Sequence, residues 1–328
     1  MLAANSQRSQ QKRVFVLGGT GFVGRSVCAM LLRQGWQVTV PTRARLQSER
    51  PPELSGVTLL DLDVHEEEAL TQALAGHLAV INLVAILHGT QALFSQVHVQ
   101  LVEKLARACL AVGVRQVVQV SAIGASASQP LSAPSMYLRS KGQGEAVLLH
   151  AADSSNPPAF ELTILRPSVI FGAQDKFLNV FASLQKTLPA VPLAGAAARF
   201  QPVWVEDVAN AACHSLTRCG SALGSSAPLI LEACGPDIFT LRELVQIAGR
   251  LSGARGGRGR PVFGLPNWLA WLQASLMELL PGEPVMSRDN LDSMRCDNVA
   301  QGVLPGLAFL SIRAAALQPI AASYLGRS

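Results

Sequence analysis

The 328-residue sequence is poor in charge, with 15% Asp, Glu, Lys or Arg against 49% hydrophobic residues, yet it contains no run of 18 apolar residues. A membrane-spanning helix is thereby excluded from the expected elements. Its cysteines, Cys28, Cys109, Cys213, Cys219, Cys234 and Cys296, form no C-x-x-C pair and read as reduced residues, mostly in the core. The six histidines show no H-E-x-x-H spacing, so no metal site is expected. Basic and aromatic residues do not interleave, which argues against nucleic acid as a partner. Tyrosine occurs twice, at Tyr137 and Tyr324. The net charge of +5 is modest. Its densest basic cluster, Arg255, Arg258 and Arg260, falls in a Gly-rich loop and reads either as solvated loop or as a contact for an anionic surface. Residues 1–12 lack an apolar signal core and read as a flexible tail, and a cytoplasmic location is the default expectation.

What is present is organised around residues 14–24, Val-Phe-Val-Leu-Gly-Gly-Thr-Gly-Phe-Val-Gly. Four apolar residues predict a buried strand, and the periodic run from Phe22 to Leu32 predicts a helix. Between them Gly18 permits a sharp turn, Gly21 lets backbone N–H groups approach a diphosphate, and Gly24 lets helix and strand pack closely. Thr20, Phe22 and Val23 complete the expected dinucleotide cradle. A second strand, Gln37 to Val40, leads into Arg43, and no Asp or Glu occurs between Gly24 and Glu49. An acidic residue there would bond a ribose 2′-hydroxyl, whereas arginine suits a 2′-phosphate, so NADP(H) is expected over NAD(H). Arg25 reads equally as a second phosphate contact or a solvated cation.

Further strands are expected at Val57–Leu60, Leu78–Leu87, Gln116–Ser121 and Leu162–Leu165, alternating with helices that start at Glu66–Glu68 and span Gln91–Val112. This βαβαβ order predicts an α/β fold built on a doubly wound parallel sheet. Ligands in such sheets bind at the carboxyl edge, which nominates Val84 and Ala85. Asp63, followed by Val64, reads as an adenine contact or a helix cap. Tyr137 and Lys141 lie four apart on one helical face. A nearby ammonium favours phenolate, so the pair has the makings of an acid/base.

The cradle, the strand ending at Ser121, the Tyr137/Lys141 pair, Arg166-Pro167 followed by Phe171-Gly172, and Val205-Glu206-Asp207-Val208-Ala209 together resemble the extended and atypical short-chain dehydrogenase/reductases. Asn82 to Gly89, Tyr137 to Lys141, the run from Arg166 through Asn179, and Gln201 to Val205 are most similar to one subgroup. It comprises the nucleotide-binding accessory subunit of respiratory complex I and its stand-alone bacterial relatives. The resemblance covers residues 13–325 and weakens beyond Pro236. It implies a Rossmann-type domain with a smaller C-terminal α/β cap lobe, and a tightly held NADP(H). By resemblance Tyr137 is the acid/base, Lys141 lowers its pKa and bonds the ribose, and Ser121 orients the substrate. The assisting hydroxyl that active relatives carry beside Ser121 is replaced by Ala122. His98 stands where relatives often have asparagine, and reads as a buried residue or a site residue.

The same resemblance divides the chain into 13–168 plus a return segment 201–235 for the nucleotide domain, and 169–200 plus 236–328 for the cap. Pro167 is expected below the nicotinamide, and Lys176 and Gln201 are candidate walls of a substrate cleft. Asp207 is expected to cap or begin a helix, and Thr240 with Glu243 forms a capping box. From Leu265 to Leu280, Trp268, Leu269, Leu272, Leu276 and Leu279 share one helical face, predicting a lid helix packed into the core or, alternatively, a surface docking on lipid or a partner. The functional expectation is an NADP(H)-binding oxidoreductase with an unidentified small-molecule substrate. The alternatives are a cofactor-holding subunit of a membrane respiratory complex, peripheral to the membrane's inner face, and a nucleotide-sugar epimerase or dehydratase.

Overall fold

The computed structural model describes residues 12–42, 52–154, 158–217, 227–279 and 286–326. Most of the expected N-terminal tail, Arg43, Cys219 and Leu280 lie outside these residues. The first half of the chain builds β1 (Arg13–Leu17), α1 (Phe22–Arg33), β2 (Gln37–Thr42), β3 (Thr58–Asp61), α2 (Glu67–Leu74), β4 (Ala79–Asn82), α3 (Gln91–Ser95) and α4 (Leu101–Val112). It continues through β5 (Gln116–Val120), α5 (Met136–Ala152) and β6 (Glu161–Pro167). Short elements follow: β7 (Ile170–Phe171), α6 (Leu178–Thr187), β8 (Val191–Leu193), β9 (Arg199–Phe200) and β10 (Val203–Trp204). Next come α7 (Val205–Thr217), β11 (Leu229–Ala233), β12 (Phe239–Thr240), α8 (Leu241–Leu251) and the single turn α9 (Ala254–Gly257). The chain closes with β13 (Val262–Gly264), α10 (Asn267–Glu278), α11 (Arg288–Ser293) and α12 (Leu317–Leu325).

Seven parallel strands form the central sheet in the order β11-β6-β5-β4-β1-β2-β3. Alternate side chains of β1 serve opposite faces. Val14 and Val16 meet α1 and α7 through Val27, Leu31, Val208 and Cys213. Phe15 and Leu17 meet α2, α4 and α5 through Leu70, Leu74, Leu105 and Leu148. Both faces are therefore covered, which is why β4 and β5 are buried at every position rather than at alternate ones. A third core, with Phe181, Leu244, Ala248, Leu317 and Ala321, joins α6, α8 and α12.

Several boundaries differ from the sequence expectation for local reasons. β4 stops at Asn82, because the Asn82 Oδ1 accepts a hydrogen bond from Val84 N at 3.1 Å and turns the apolar run out of the sheet. β6 runs past the expected end at Leu165 through Arg166 and Pro167, paired there with Glu232 and Ala233 of β11. The expected single helix from Gln91 to Val112 contains a π-helical turn at Gln96–Gln100. Thr240 and Glu243 do form a capping box. Asp207 sits in the first turn of α7 and accepts from Ala315 N at 2.8 Å, tying down the C-terminal segment. The lid-helix reading of α10 is overturned: Trp268, Trp271, Leu272, Leu276 and Leu279 are exposed, while small Ala270 and Ala274 face inward. No helix among the described residues is long and apolar enough to cross a membrane. Among the same residues no cluster of His, Cys, Asp or Glu has the make-up of a metal site.

Two ion pairs predict contrasting costs. Arg166 holds the fully buried Glu145 through two hydrogen bonds, whereas the Arg107–Glu67 pair is solvated. Chemical denaturation of Arg166→Leu should show a loss of about 3–5 kcal/mol, since it strands a buried carboxylate. Arg107→Ala should lose less than about 1 kcal/mol.

Candidate functional site

The turn after β1 is shaped by missing side chains. Gly18 has φ +76°, and a Cβ there would lie 3.2 Å from Leu83 C and Val84 N. A Cβ on Gly24 would lie 2.2 Å from Gly18 O, so α1 reaches the strand end only because that atom is absent. Gly19, which the motif reading passed over, is equally constrained, its absent Cβ falling 2.5 Å from Val40 Cγ2. Gly21 caps α1 without a side-chain hydrogen bond, and no acidic residue lies in the first turn. A Cβ-free floor, a left-handed turn and an uncapped helix start fit the diphosphate of a dinucleotide. Arg25 Nε donates to Thr20 O at 3.0 Å and its Nη1 to Gln174 Oε1 at 3.3 Å, so its guanidinium bridges the turn and the loop after β7. The ring of Phe22 faces Gly172, and Val23 packs on the core.

Along the carboxyl edge of the sheet, side chains form a buried relay. Asn82 Nδ2 donates to Gln119 Oε1 at 2.9 Å, Gln119 Nε2 donates to Val120 O at 3.0 Å, and Lys141 Nζ donates to the same carbonyl at 2.7 Å. Val84 and Ala85 follow Asn82 at this edge. Asp63, with Val64, lies beside it in the β3–α2 connection, where its Oδ1 accepts from His65 N at 2.9 Å. Its carboxylate thus orders the turn before α2.

α5 carries the candidate pair, Tyr137 and Lys141. Its start is capped by Ser135, and the buried Asp289 of α11 accepts from Met136 N at 2.7 Å and Tyr137 N at 3.1 Å. Gly144 brings α5 against the π-helical turn, a Cβ there meeting His98 O at 2.3 Å. His98 Nδ1 bonds Ser140 Oγ at 2.8 Å, Ser140 Oγ donates to Tyr137 O, and His98 Nε2 accepts from Ile86 N at 3.1 Å. Burial, with Lys141 nearby, pushes His98 down to about 2, so it is a neutral bracket between the sheet edge and α5. The Tyr137 ring lies against Phe94 and His98 at centroid distances of 6.3 and 5.6 Å.

The expected phenol activation is not seen in the protein alone. Burial raises Tyr137 to about 12. Lys141, its ammonium turned to the Val120 carbonyl, falls to about 8 through burial, opposed by the Glu145 charge. Ser121 is buried and its Oγ has no hydrogen-bond partner among the described residues, leaving a donor and acceptor at the end of β5. Ala122 packs with Ala133, Leu138 and Tyr137 where relatives of the resembled family place a hydroxyl. The structure thus gathers Ser121, Tyr137, Lys141 and His98 around the β5 end.

Other candidates take different roles. Pro167 is buried at the end of β6, its carbonyl accepting from Ile123 N at 3.0 Å. Gln201 brackets backbone, with Nε2 donating to Gly235 O at 2.8 Å and Oε1 accepting from Ala300 N at 2.9 Å. Lys176 is exposed on the loop before α6. Gln119 and Asp289 were missed because nothing local in the sequence says what faces them. The second tyrosine, Tyr324, donates to the buried Asp175, tying α12 to the loop after β7.

Residues 14–224 match the model of the NAD dependent epimerase/dehydratase family. The chain belongs to that family. It is 35% identical over 239 residues, 71% of its length, to the mitochondrial NADH dehydrogenase [ubiquinone] 1 alpha subcomplex subunit 9 of Arabidopsis thaliana. It is 30% identical over 311 residues, 92% of its length, to the Mus musculus protein of that name. These matches span 56% and 77% of the two relatives. The fold is that of MoeE5 in complex with UDP-glucose and NAD, at TM-score 0.68 and 16% identity, covering 95% of this chain and 97% of the other. It is also that of the Thermus thermophilus UDP-glucose 4-epimerase complexed with NAD, at TM-score 0.60 and 22% identity, covering 86% and 99%. The family's Rossmann-type sheet order, read from one edge as third, second, first, fourth, fifth and sixth strand, is reproduced here.

For Lys141 a pH prediction follows from the sign of its shift. Its folded value near 8 lies below the ordinary 10.5, so the folded state binds fewer protons between these values and gains stability as pH rises through them. In Lys141→Met, denaturation between pH 8 and 10.5 should show a stability profile flatter than wild type by on the order of 3 kcal/mol.

Proposed function

We propose that the protein holds a nicotinamide dinucleotide with its diphosphate over the Gly18–Gly24 turn, NADP(H) in preference to NAD(H), and uses it as an oxidoreductase. The observation that carries this reading is the pairing of a Cβ-free turn with an uncapped helix start, beside the unpartnered Ser121 Oγ. The preference for a 2′-phosphate rests on Arg43 and on the absence of acidic residues between Gly24 and Glu49. Bound there, the nicotinamide supplies or accepts the hydride. Ser121 orients the substrate oxygen and Tyr137 exchanges the proton with it. Lys141 keeps a positive charge beside the site and bonds the ribose.

A second reading is favoured by one observation. The exposed apolar face of α10, with Trp268, Trp271, Leu272, Leu276 and Leu279, suits a cofactor-holding subunit docked on a respiratory complex or on the inner face of its membrane. The subunit names of the mitochondrial relatives support it, and so does Ala122. A nucleotide-sugar epimerase, the third reading, is favoured by the NAD-bound structural neighbours but not by the arginine after β2.

Optical spectroscopy of the protein as isolated should detect retained reduced nicotinamide. Its oxidation on adding quinones or carbonyl compounds supports the enzyme, and inertness toward both supports the holding subunit. In the enzyme, Tyr137→Phe should abolish turnover, by about 100-fold or more, while cofactor retention is unchanged. An undiminished rate in that variant rules Tyr137 out of the reaction.

A further inference from the structure

From Leu244 to Met277 the chain contains no acidic residue, yet it contains Arg250, Arg255, Arg258 and Arg260. All four arginines line one depression of about 340 Å³, together with Gln246, Gly259 and Pro261. Arg250, in the last turn of α8, suits the negative end of the helix dipole. The other three lie beyond the helix, so the dipole does not account for them. Like charges converging on one concavity repel one another unless an anion sits between them.

The backbone enforces this convergence. Gly253, Gly256, Gly257 and Gly259 are left-handed, and so is Arg255 at φ +51°, a conformation that L residues with a side chain rarely adopt. The loop end is fixed from beneath: the fully buried Gln185 accepts from Arg260 N at 2.5 Å and donates to Arg260 O at 3.4 Å. Gln185 fits there because position 249 is glycine, where a Cβ would lie 2.4 Å from its Oε1. Arg260 Nε is buried with no hydrogen-bond partner among the described residues. None of the four arginines forms an ion pair among the described residues. A merely solvated loop explains neither the held backbone nor the orphaned guanidinium nitrogen.

We propose that this depression at the C-terminal end of α8 is a second anion site, separate from the dinucleotide cradle, that takes a phosphate or diphosphate group. Guanidinium groups bind phosphate oxygens through paired, charge-assisted hydrogen bonds, and a glycine-rich left-handed loop leaves room for such a group to approach. The group is carried by a soluble metabolite or by an anionic lipid.

The test uses the full chain saturated with NADPH, so that the cradle is filled, and titrates inorganic pyrophosphate by calorimetry. Wild type should bind, with affinity falling as salt rises. Arg255→Gln/Arg258→Gln changes two exposed side chains outside the core and should keep the melting temperature. It should weaken pyrophosphate binding by roughly tenfold or more, the size of one lost charge-assisted hydrogen bond. Sedimentation with phosphatidylcholine vesicles, with and without phosphatidic acid, separates the sources. Retention that needs phosphatidic acid and is lost in the double variant identifies a lipid headgroup, whereas pyrophosphate binding without retention identifies a soluble ligand. Absence of pyrophosphate binding to wild type, or equal binding by the double variant, overturns the proposal.

Discussion

The constraint on which the rest of this structure depends is the closeness with which α1 approaches the end of β1. At Gly24 the helix passes so near the Gly18 carbonyl that a single added methyl group would overlap it. That contact does three things together. It seats α1 on one face of the sheet, where Val27 and Leu31 complete the core. It lies against the left-handed turn at Gly18, and the helix it brings in starts without a side-chain cap among the described residues. The packing and the proposed diphosphate seat therefore rest on one contact.

From this point order propagates along the carboxyl edge of the sheet. Gly18 lies against the backbone of Leu83 and Val84, where the chain has just left β4 at Asn82. Asn82 and Gln119 then pass a chain of hydrogen bonds to the carbonyl that receives Lys141. The helix bearing Lys141 and Tyr137 is held at its start by Asp289, which belongs to α11 of the C-terminal region. Because α11 also meets α10 through the Arg288–Glu278 pair, the exposed apolar helix is mechanically joined to the helix of the candidate acid/base. An enzyme and a docking subunit place different demands on this linkage, and Ala122 beside Tyr137 is the residue at which the two readings diverge.

Much of the nucleotide half was legible because its signals are local. A buried parallel strand must be apolar and a tight turn must have glycine. A capping box announces a helix start, as Thr240 and Glu243 do. Where an element's boundary depended on a partner distant in sequence, the reading went astray. The apolar run through Leu87 looked like strand, but Asn82 found its own loop and Gln119 and ended it. The strand was expected to end at Leu165, but Glu145 and β11 kept Arg166 in the sheet. The α10 stripe looked like core, since periodicity reports that one face is apolar and not whether anything covers it.

The amino-acid order alone determined the sheet's alternation with helices, the glycine turn and the four-residue spacing of Tyr137 and Lys141, because each of these is written in the conformational preferences of neighbouring residues. Only the tertiary structure decided that Lys141 faces the Val120 carbonyl, that His98 is a neutral bracket, that Ser121 Oγ is left vacant and that four arginines share one depression. Those outcomes depend on which groups from remote parts of the chain remove water from one another, and desolvation is a property of the packed whole.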